Sequence, residues 1–260
     1  MLEWKDVTVC YDKKPAAEDV SLSVREGEWL MLCGPNGSGK TTLLEAAAGV
    51  LPYRGSILLE GGEVREMKSA FRARKMAVLS QGSRVDEDFT VSETVALGLY
   101  ASRRRRFFPA PDGEERVARA LDMTMLTPLK ERRMTELSGG ESQRVFLAQV
   151  FCQDTDVLLL DEATRSLDMR YQKEIYDLVR AWLSRGGRCA VSVEHDLDLC
   201  RLYGTHCALL RGGRLVASGP VGEVMTGKNL KNTFDMDAEE WIREKKSVWK
   251  GWMESDQGTG

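Results

Sequence analysis

Residues 33–42 read Cys-Gly-Pro-Asn-Gly-Ser-Gly-Lys-Thr-Thr, and Gly34 to Thr41 satisfy the pattern G-x-x-x-x-G-K-[ST] in full. An apolar run, Trp29 to Leu32, precedes the stretch, and the helix-prone run Leu43 to Ala48 follows it. Strand, glycine-rich loop and helix in that order are the context of a phosphate-binding loop. Gly34, Gly37 and Gly39 allow backbone conformations that bring N–H groups close to an anion, with Pro35, Asn36 and Ser38 completing the loop. The first turn of the new helix, which contains Thr42, adds further N–H donors. Lys40 supplies a cation for the outer phosphates, and the Thr41 hydroxyl is placed to reach a bound Mg²⁺. The stretch therefore predicts binding of a nucleoside triphosphate.

The rest of the 260-residue chain is long enough for one large α/β domain with an inserted subdomain. Lys and Arg total 37 against 40 Asp and Glu, a net charge of -3, so no global basic field points to nucleic acid as the main partner. The six cysteines, at positions 10, 33, 152, 189, 200 and 207, contain no C-x-x-C pair and read as reduced, core-filling thiols of a reducing compartment. Met1 to Asp6 has no basic segment leading into an apolar run, which argues against a secretory signal. Nowhere do about 18 apolar residues run together, so no membrane-spanning helix is expected.

Outward from the loop, Leu2 to Val9 and Val20 to Val24 alternate as strands, with a turn near Asp12 to Pro15. After the loop helix, Ile57 to Leu59 and Val64 flank Gly61-Gly62 as a hairpin. A short basic helix over Lys68 to Arg74 and a buried strand over Met76 to Leu79 follow. Val91 to Ala101, Glu114 to Met123 and Ser142 to Phe151 have helical spacing, so residues 85–152 are read as a helical insertion. Val157 to Leu160 restarts the apolar strands, followed by a helix over Met169 to Leu183 and a strand over Cys189 to Val193. A helix over Leu197 to Tyr203 and strands near Cys207 to Leu210 and Leu215 to Ala217 complete the pattern. Alternating strands and helices predict an α/β fold: a mainly parallel sheet with helices on both faces and an N-terminal antiparallel β part.

Val157 to Leu160 leads straight into Asp161-Glu162. An apolar strand ending on a carboxylate delivers it to the carboxyl edge of the sheet, where ligands bind in open α/β folds. Asp161 is then placed to hold Mg²⁺, and Glu162 to orient an attacking water. Without the phosphate loop the same pair reads as an exposed acidic turn. Leu137-Ser138-Gly139-Gly140-Glu141 precedes a helix and reads either as a second anion site or as a helix cap and nothing more.

The phosphate loop, Leu-Ser-Gly-Gly-Glu, and an apolar strand ending Asp-Glu, in this order, resemble the ATP-binding cassette family of ATPases over about residues 2–225. The resemblance implies a RecA-like P-loop core in a domain spanning 1–227, with 228–260 as a helical tail. It implies that Ser138, Gly139 and Gly140 are the signature motif, that Tyr11 stacks on adenine, and that Gln81 touches Mg²⁺ and reports nucleotide state to a partner. It also places Asp168 in the D-loop, and His195 as the switch histidine against the γ-phosphate. Tyr11 has the alternative reading of a strand residue on a solvated face. Ala163 stands where the family usually has Pro, Arg165 where it has a small residue, and Glu194 where Thr is common. None of these removes a catalytic group, so Lys40, Glu162 and His195 are expected to carry hydrolysis. Family members work as head-to-tail dimers, each ATP clamped between Lys40 and Thr41 of one copy and Ser138 to Gly140 of the other.

Thr90 to Gly98, and Gln172 after Ser166-Leu167-Asp168, resemble importers of iron-chelate, haem and cobalamin type. That likeness implies a cytoplasmic subunit on the inner face of the cell membrane, beneath a separate permease with an extracytoplasmic solute-binding protein. An ATPase for another solute, a soluble ATPase of iron–sulfur cluster assembly and a chromosome-structure ATPase are the alternatives. The last lacks its coiled-coil heptads here. Arg103 to Arg106 with Phe107-Phe108 could meet phospholipid headgroups or nucleic acid, or be a solvated connector. In the tail, Trp241, Lys245, Val248, Trp249 and Trp252 share a helical face that is expected to dock on this domain or on a dimer partner.

Overall fold

The structure is a computed structural model that describes residues 1–12, 14–80, 89–100, 112–164 and 167–256. Strands β1 (Leu2–Tyr11) and β2 (Lys14–Val24) pair antiparallel, Trp4 opposite Leu22. β2 begins well before the alternation Val20-Leu22-Val24 that marks it in the sequence. β3 (Trp29–Cys33) leads through the glycine loop into α1 (Lys40–Ala47). β4 (Arg54–Leu59) and the two-residue β5 (Gly62–Glu63) form the hairpin, while Val64 belongs to a single tight turn that follows. Then come α2 (Ser69–Lys75) and β6 (Met76–Leu79).

Three helices lie between β6 and the next strand: α3 (Val91–Ala96), α4 (Gly113–Met123) and α5 (Gly139–Gln153). The Val91 helix is shorter than its apolar spacing suggests. It tightens at Leu97–Tyr100 into a 3₁₀ turn, where Gly98 lies so close to the Gln149 carbonyl and Cys152 of α5 that no Cβ fits. β7 (Val157–Asp161), α6 (Met169–Leu183), β8 (Cys189–Val193), α7 (Leu197–Tyr203), β9 (His206–Arg211) and β10 (Arg214–Pro220) follow. The chain continues into α8 (Val221–Val224), α9 (Gly227–Phe234) and α10 (Ala238–Asp256).

Among the described residues the strands form two sheets, β2-β1-β4-β5 and β10-β9-β3-β8-β7-β6. In the second sheet β9, β3, β8, β7 and β6 run parallel and only β10 is antiparallel. Every residue of β3, β7 and β8 is buried, as expected of parallel strands covered on both faces. Alternation divides their side chains between two cores. Met31, Leu158 and Leu160 face the core built with α5 and α6, whereas Leu32, Leu159 and Val191 face α1 and the first sheet. α1 is thus held between the sheets, and Trp4 of β1 donates its indole N–H to the Leu43 carbonyl at 3.2 Å.

α10 meets the core through Ala238 and Ile242. On the face expected to dock, Trp241 and Val248 are 53% and 73% exposed, and Lys245 reaches Asp198 of α7 at 3.0 Å. Of this face, Lys245 therefore ties α10 to α7, while Trp241 and Val248 are left uncovered by this domain. The side chains of Trp249 and Trp252 lie outside what the structure describes, as do Arg103 to Arg106 and Phe107-Phe108. Leu159 is fully buried in β7, so Leu159→Ala is expected to lower unfolding free energy by about 2–5 kcal/mol in urea titration, through lost transfer energy and the cavity left behind.

Candidate functional site

β3 ends at Cys33, and the chain turns through Gly34 at φ +151°, where a Cβ would strike the Leu210 carbonyl. Gly39, at φ +96°, is the residue from which α1 starts, and a Cβ there would strike the Ala16 carbonyl. These two glycines are required by conformation and by space. Within the loop, Lys40 Nζ donates to the carbonyl oxygens of Gly34 at 2.9 Å and Pro35 at 3.0 Å. Burial pulls the Lys40 ammonium below its ordinary pKa, opposed by Cys33, Glu162 and Asp161. The Ser38 hydroxyl is buried without a hydrogen-bond partner. A cavity of about 290 Å³ above the loop is lined by Asn36, Gly37, Ser38, Gly39, Lys40, Thr41, Thr42 and Glu162.

Two neighbouring strands deliver the acidic groups. Asp161 is the last residue of β7, and its Oδ1 accepts from Thr41 Oγ1 at 3.0 Å. Burial raises its carboxyl above the ordinary range, partly offset by the Thr41 bond. Glu162 adopts φ +50°, a left-handed conformation that is uncommon for a non-glycine residue and gathers at functional sites. Its Oε1 lies 2.7 Å from His195 Nε2, which follows β8. The next residue back, Glu194, donates its backbone N–H to the Leu32 carbonyl at 3.1 Å, tying the end of β8 to the end of β3. Hydroxyl and carboxylate oxygens converge at Thr41 and Asp161, the hard donors that Mg²⁺ takes together with substrate phosphates. No group of three or more His, Cys, Asp or Glu able to hold a metal occurs among the described residues. A cation there would accordingly depend on phosphate and water for its remaining ligands.

The remaining sequence-predicted residues that the structure describes do not line this cavity. Ser138 is the N-cap of α5, and Gly139 and Gly140 form the helix's first turn, not a free loop. Ser138 and Glu141 close a capping box, the hydroxyl donating to Glu141 Oε2 at 2.7 Å and accepting from the Glu141 N–H at 3.3 Å. Asp168 caps α6, accepting from the Tyr171 N–H at 3.0 Å. Tyr11 is exposed on β1, its hydroxyl 3.4 Å from Glu45 Oε2. Gln81, Arg165 and Ser166 lie outside the described residues.

Two features escaped the sequence reading. Gln143, on the first turns of α5, donates to the Ala163 carbonyl at 2.9 Å and so links the Ser-Gly-Gly helix to the residues after Asp161-Glu162. Glu194 is buried, only 8% exposed. The sequence marks it as unusual, and only the fold reveals that it is enclosed.

With this arrangement in view, a family model described as "ABC transporter" matches residues 17–165. The chain belongs to the ABC transporter family. Among its relatives is the hemin import ATP-binding protein HmuV of Rhizobium johnstonii, 40% identical over 243 residues and 90% of each chain. The petrobactin import ATP-binding protein FpuD of Bacillus anthracis is 35% identical over 239 residues, 92% of this chain and 88% of its own. Among solved structures, the dimeric post-hydrolysis state of the ATP-binding cassette MJ0796 bound to ADP and phosphate superposes with a TM-score of 0.78 at 25% identity. It covers 85% of this chain and 99% of its own. The α/β fold is that of an ABC cassette with a RecA-like P-loop core, and the protein is an ATP hydrolase of the ABC type.

Adding one carbon at Gly34 tests the loop's geometry. Gly34→Ala is expected to cost about 1–3 kcal/mol of unfolding free energy and to weaken binding of a fluorescent ATP analogue at least tenfold, by titration, through displacement of the Lys40 acceptors.

Proposed function

We propose that this ABC protein is the ATP-hydrolysing subunit of an importer, working as a head-to-tail pair under a separate membrane permease that receives its solute from an extracytoplasmic binding protein. The observation that carries the pairing is the composition of the phosphate cavity, which contains Asn36 to Thr42 and Glu162 but none of Ser138, Gly139 or Gly140. The second half of the site comes from another copy, whose Ser138 to Gly140 present a helix N-terminus to the γ-phosphate. The proposed cargo is an iron-chelate, haem or cobalamin, of which the relatives named for hemin and petrobactin import support the first two. No described helix is long and apolar enough to cross a membrane, so the proposed place of the subunit is the inner face of the cell membrane, held there by the permease.

The proposed residue roles rest on the lining of the phosphate cavity and on the family resemblance. ATP enters the cavity with its β- and γ-phosphates over the loop, and Lys40 exchanges its carbonyl acceptors at Gly34 and Pro35 for phosphate oxygens. Thr41 and Asp161, with Gln81, would hold Mg²⁺, which when bound neutralises charge on the phosphates. Glu162 orients a water and accepts its proton as the water oxygen bonds to the γ-phosphorus and the bond to the bridging oxygen breaks, giving ADP and phosphate. His195, fixed against Glu162, donates toward the γ-phosphate. Tyr11 would offer its ring to adenine, and Asp168 would lie at the seam between copies. ATP binding closes the pair and hydrolysis opens it, which is the motion the permease reads.

Glu162→Gln is expected to bind ATP with wild-type affinity while kcat falls at least about a hundredfold, and to elute as a dimer with ATP on size-exclusion chromatography. Ser138→Arg should elute as a monomer under the same conditions. Wild-type turnover in the first variant defeats the role of Glu162, and an ATP-dependent dimer in the second defeats the composite site. Co-purification with an integral membrane protein tests the permease; recovery solely in a soluble complex would favour a role in iron–sulfur cluster assembly.

A further inference from the structure

Glu194 stands where Thr is common, immediately before the switch histidine, and its side chain is enclosed at the carboxyl end of β8. Tyr176 of α6 directs a buried hydroxyl, without a well-formed hydrogen bond, toward the Glu194 carboxyl and Thr164. The other groups that face Glu194 are Cys33 from β3, Cys200 from α7, Glu162 after β7, and Asp196 with the His195 backbone in its own segment. Apart from the His195 ring, which is engaged with Glu162, these groups are neutral or acidic. The surroundings accept a neutral carboxyl and resist a charged one. The backbone N–H of Glu194 is anchored to Leu32, one residue before Cys33, so movement of its side chain is felt at both the switch segment and the start of the phosphate loop.

We propose that Glu194 is a positioning residue for hydrolysis: as a neutral acid packed against Tyr176 it holds the segment that carries His195 against Glu162, and on ionisation it releases that segment. This inference rests on the assignment of Glu162 and His195 to hydrolysis. Burial pushes the Glu194 carboxyl up to about 7 from its ordinary value, with Asp196 and Glu162 adding to the shift and Tyr176 opposing it. The folded protein therefore binds a proton here that the unfolded chain loses near pH 4.5. Stability from this group falls as pH rises between those values and stays low above the upper one. An ionised Glu194 is driven toward water and away from Glu162 and Asp196, and turnover falls with it on the alkaline side of neutrality.

The test is the kcat and KM for ATP of the purified full chain from pH 5.5 to 8.5, with Mg²⁺ present, beside Glu194→Gln and Glu194→Thr. Neither variant ionises at this position. The expected kcat of Glu194→Gln relative to wild type is near one at pH 6 and rises to at least about fivefold at pH 8.5, where most of the wild-type carboxyl is ionised, within the penalty that misplacing a group at the reacting centre can reach. KM should stay within about twofold. Glu194→Thr should show the same flat pH response at a lower kcat, because its smaller side chain leaves a gap beside the Tyr176 hydroxyl, whose ring stays stacked on Trp29. Thermal melting is read in parallel, and the gap between Glu194→Gln and wild type should widen with pH. A widening melting gap with a constant kcat ratio overturns the proposal, since it marks a buried carboxyl with no hold on the reaction. A pH effect confined to KM overturns it as well. A wild-type chain without ATP turnover at any pH defeats the underlying hydrolytic assignment and this inference together.

Discussion

The chemistry at the phosphate edge depends on the pairing of one buried residue, Val193. In the parallel ladder it lies opposite Leu32 of β3 on one side and Asp161 of β7 on the other. That register sets three chain reversals side by side: the glycine loop after Cys33, the Asp161-Glu162 turn and the Glu194-His195 turn. Parallel strands all end at the same edge, so the groups that follow them converge there, and the Thr41–Asp161 and Glu162–His195 contacts tie the segments together. The ladder is rigid because β3, β7 and β8 are buried on both faces, and a one-residue slip would carry every side chain into the opposite core.

Convergence has an electrostatic cost, visible in opposite shifts on the two sides of the cavity. Burial pushes Lys40 toward its neutral form and Asp161 toward its own, and each is returned part of the way by the other's charge. Glu162 holds a left-handed backbone conformation beside them. The site is thus built under mild strain that the surrounding sheet enforces, and bound phosphate, with the cation it brings, would relieve both the exposed positive end of the loop and the crowding of Asp161, Glu162 and Glu194.

Much of this is legible in the sequence because it follows from local rules. The loop pattern specifies the turn out of β3, and apolar runs, unbroken in β6 and in β7 up to Asp161 and interrupted only by Ser192 in β8, specify those strands nearly to the residue. The misread parts are those that tertiary contacts decide. β2 starts at Lys14, ahead of its alternating stretch, because β1 offers it a pairing partner. The α3 helix stops early where Gly98 meets α5. α10 meets the domain through Ala238, Ile242 and Lys245, while Trp241 and Val248 of its sequence-visible stripe stay exposed. Periodicity identifies an apolar face and does not say what covers it. Glu194 is the sharpest case, because a single acidic letter after a strand gives no indication that the fold will enclose it.

The helix that begins at Ser138 would connect the two proposed halves of the site. In the isolated chain the Ser138 hydroxyl is already committed, donating to Glu141 while accepting from that residue's N–H. Bonds from the Ser138 N–H and hydroxyl hold the Glu141 carboxyl below its ordinary range, so the box closes on a full negative charge. In the proposed pair, a phosphate of the opposing copy would have to compete with that carboxylate for the same donors. The exchange gives up a cap worth about 1 kcal/mol for a charge-assisted bond to a more highly charged anion. It therefore favours the triphosphate over a weaker acceptor. Gln143 lies on the same helix, bonded to the Ala163 carbonyl beside Glu162. A shift of α5 on meeting the partner's nucleotide would then be transmitted directly to its own hydrolytic segment, which gives a physical route for the two sites of a pair to act together.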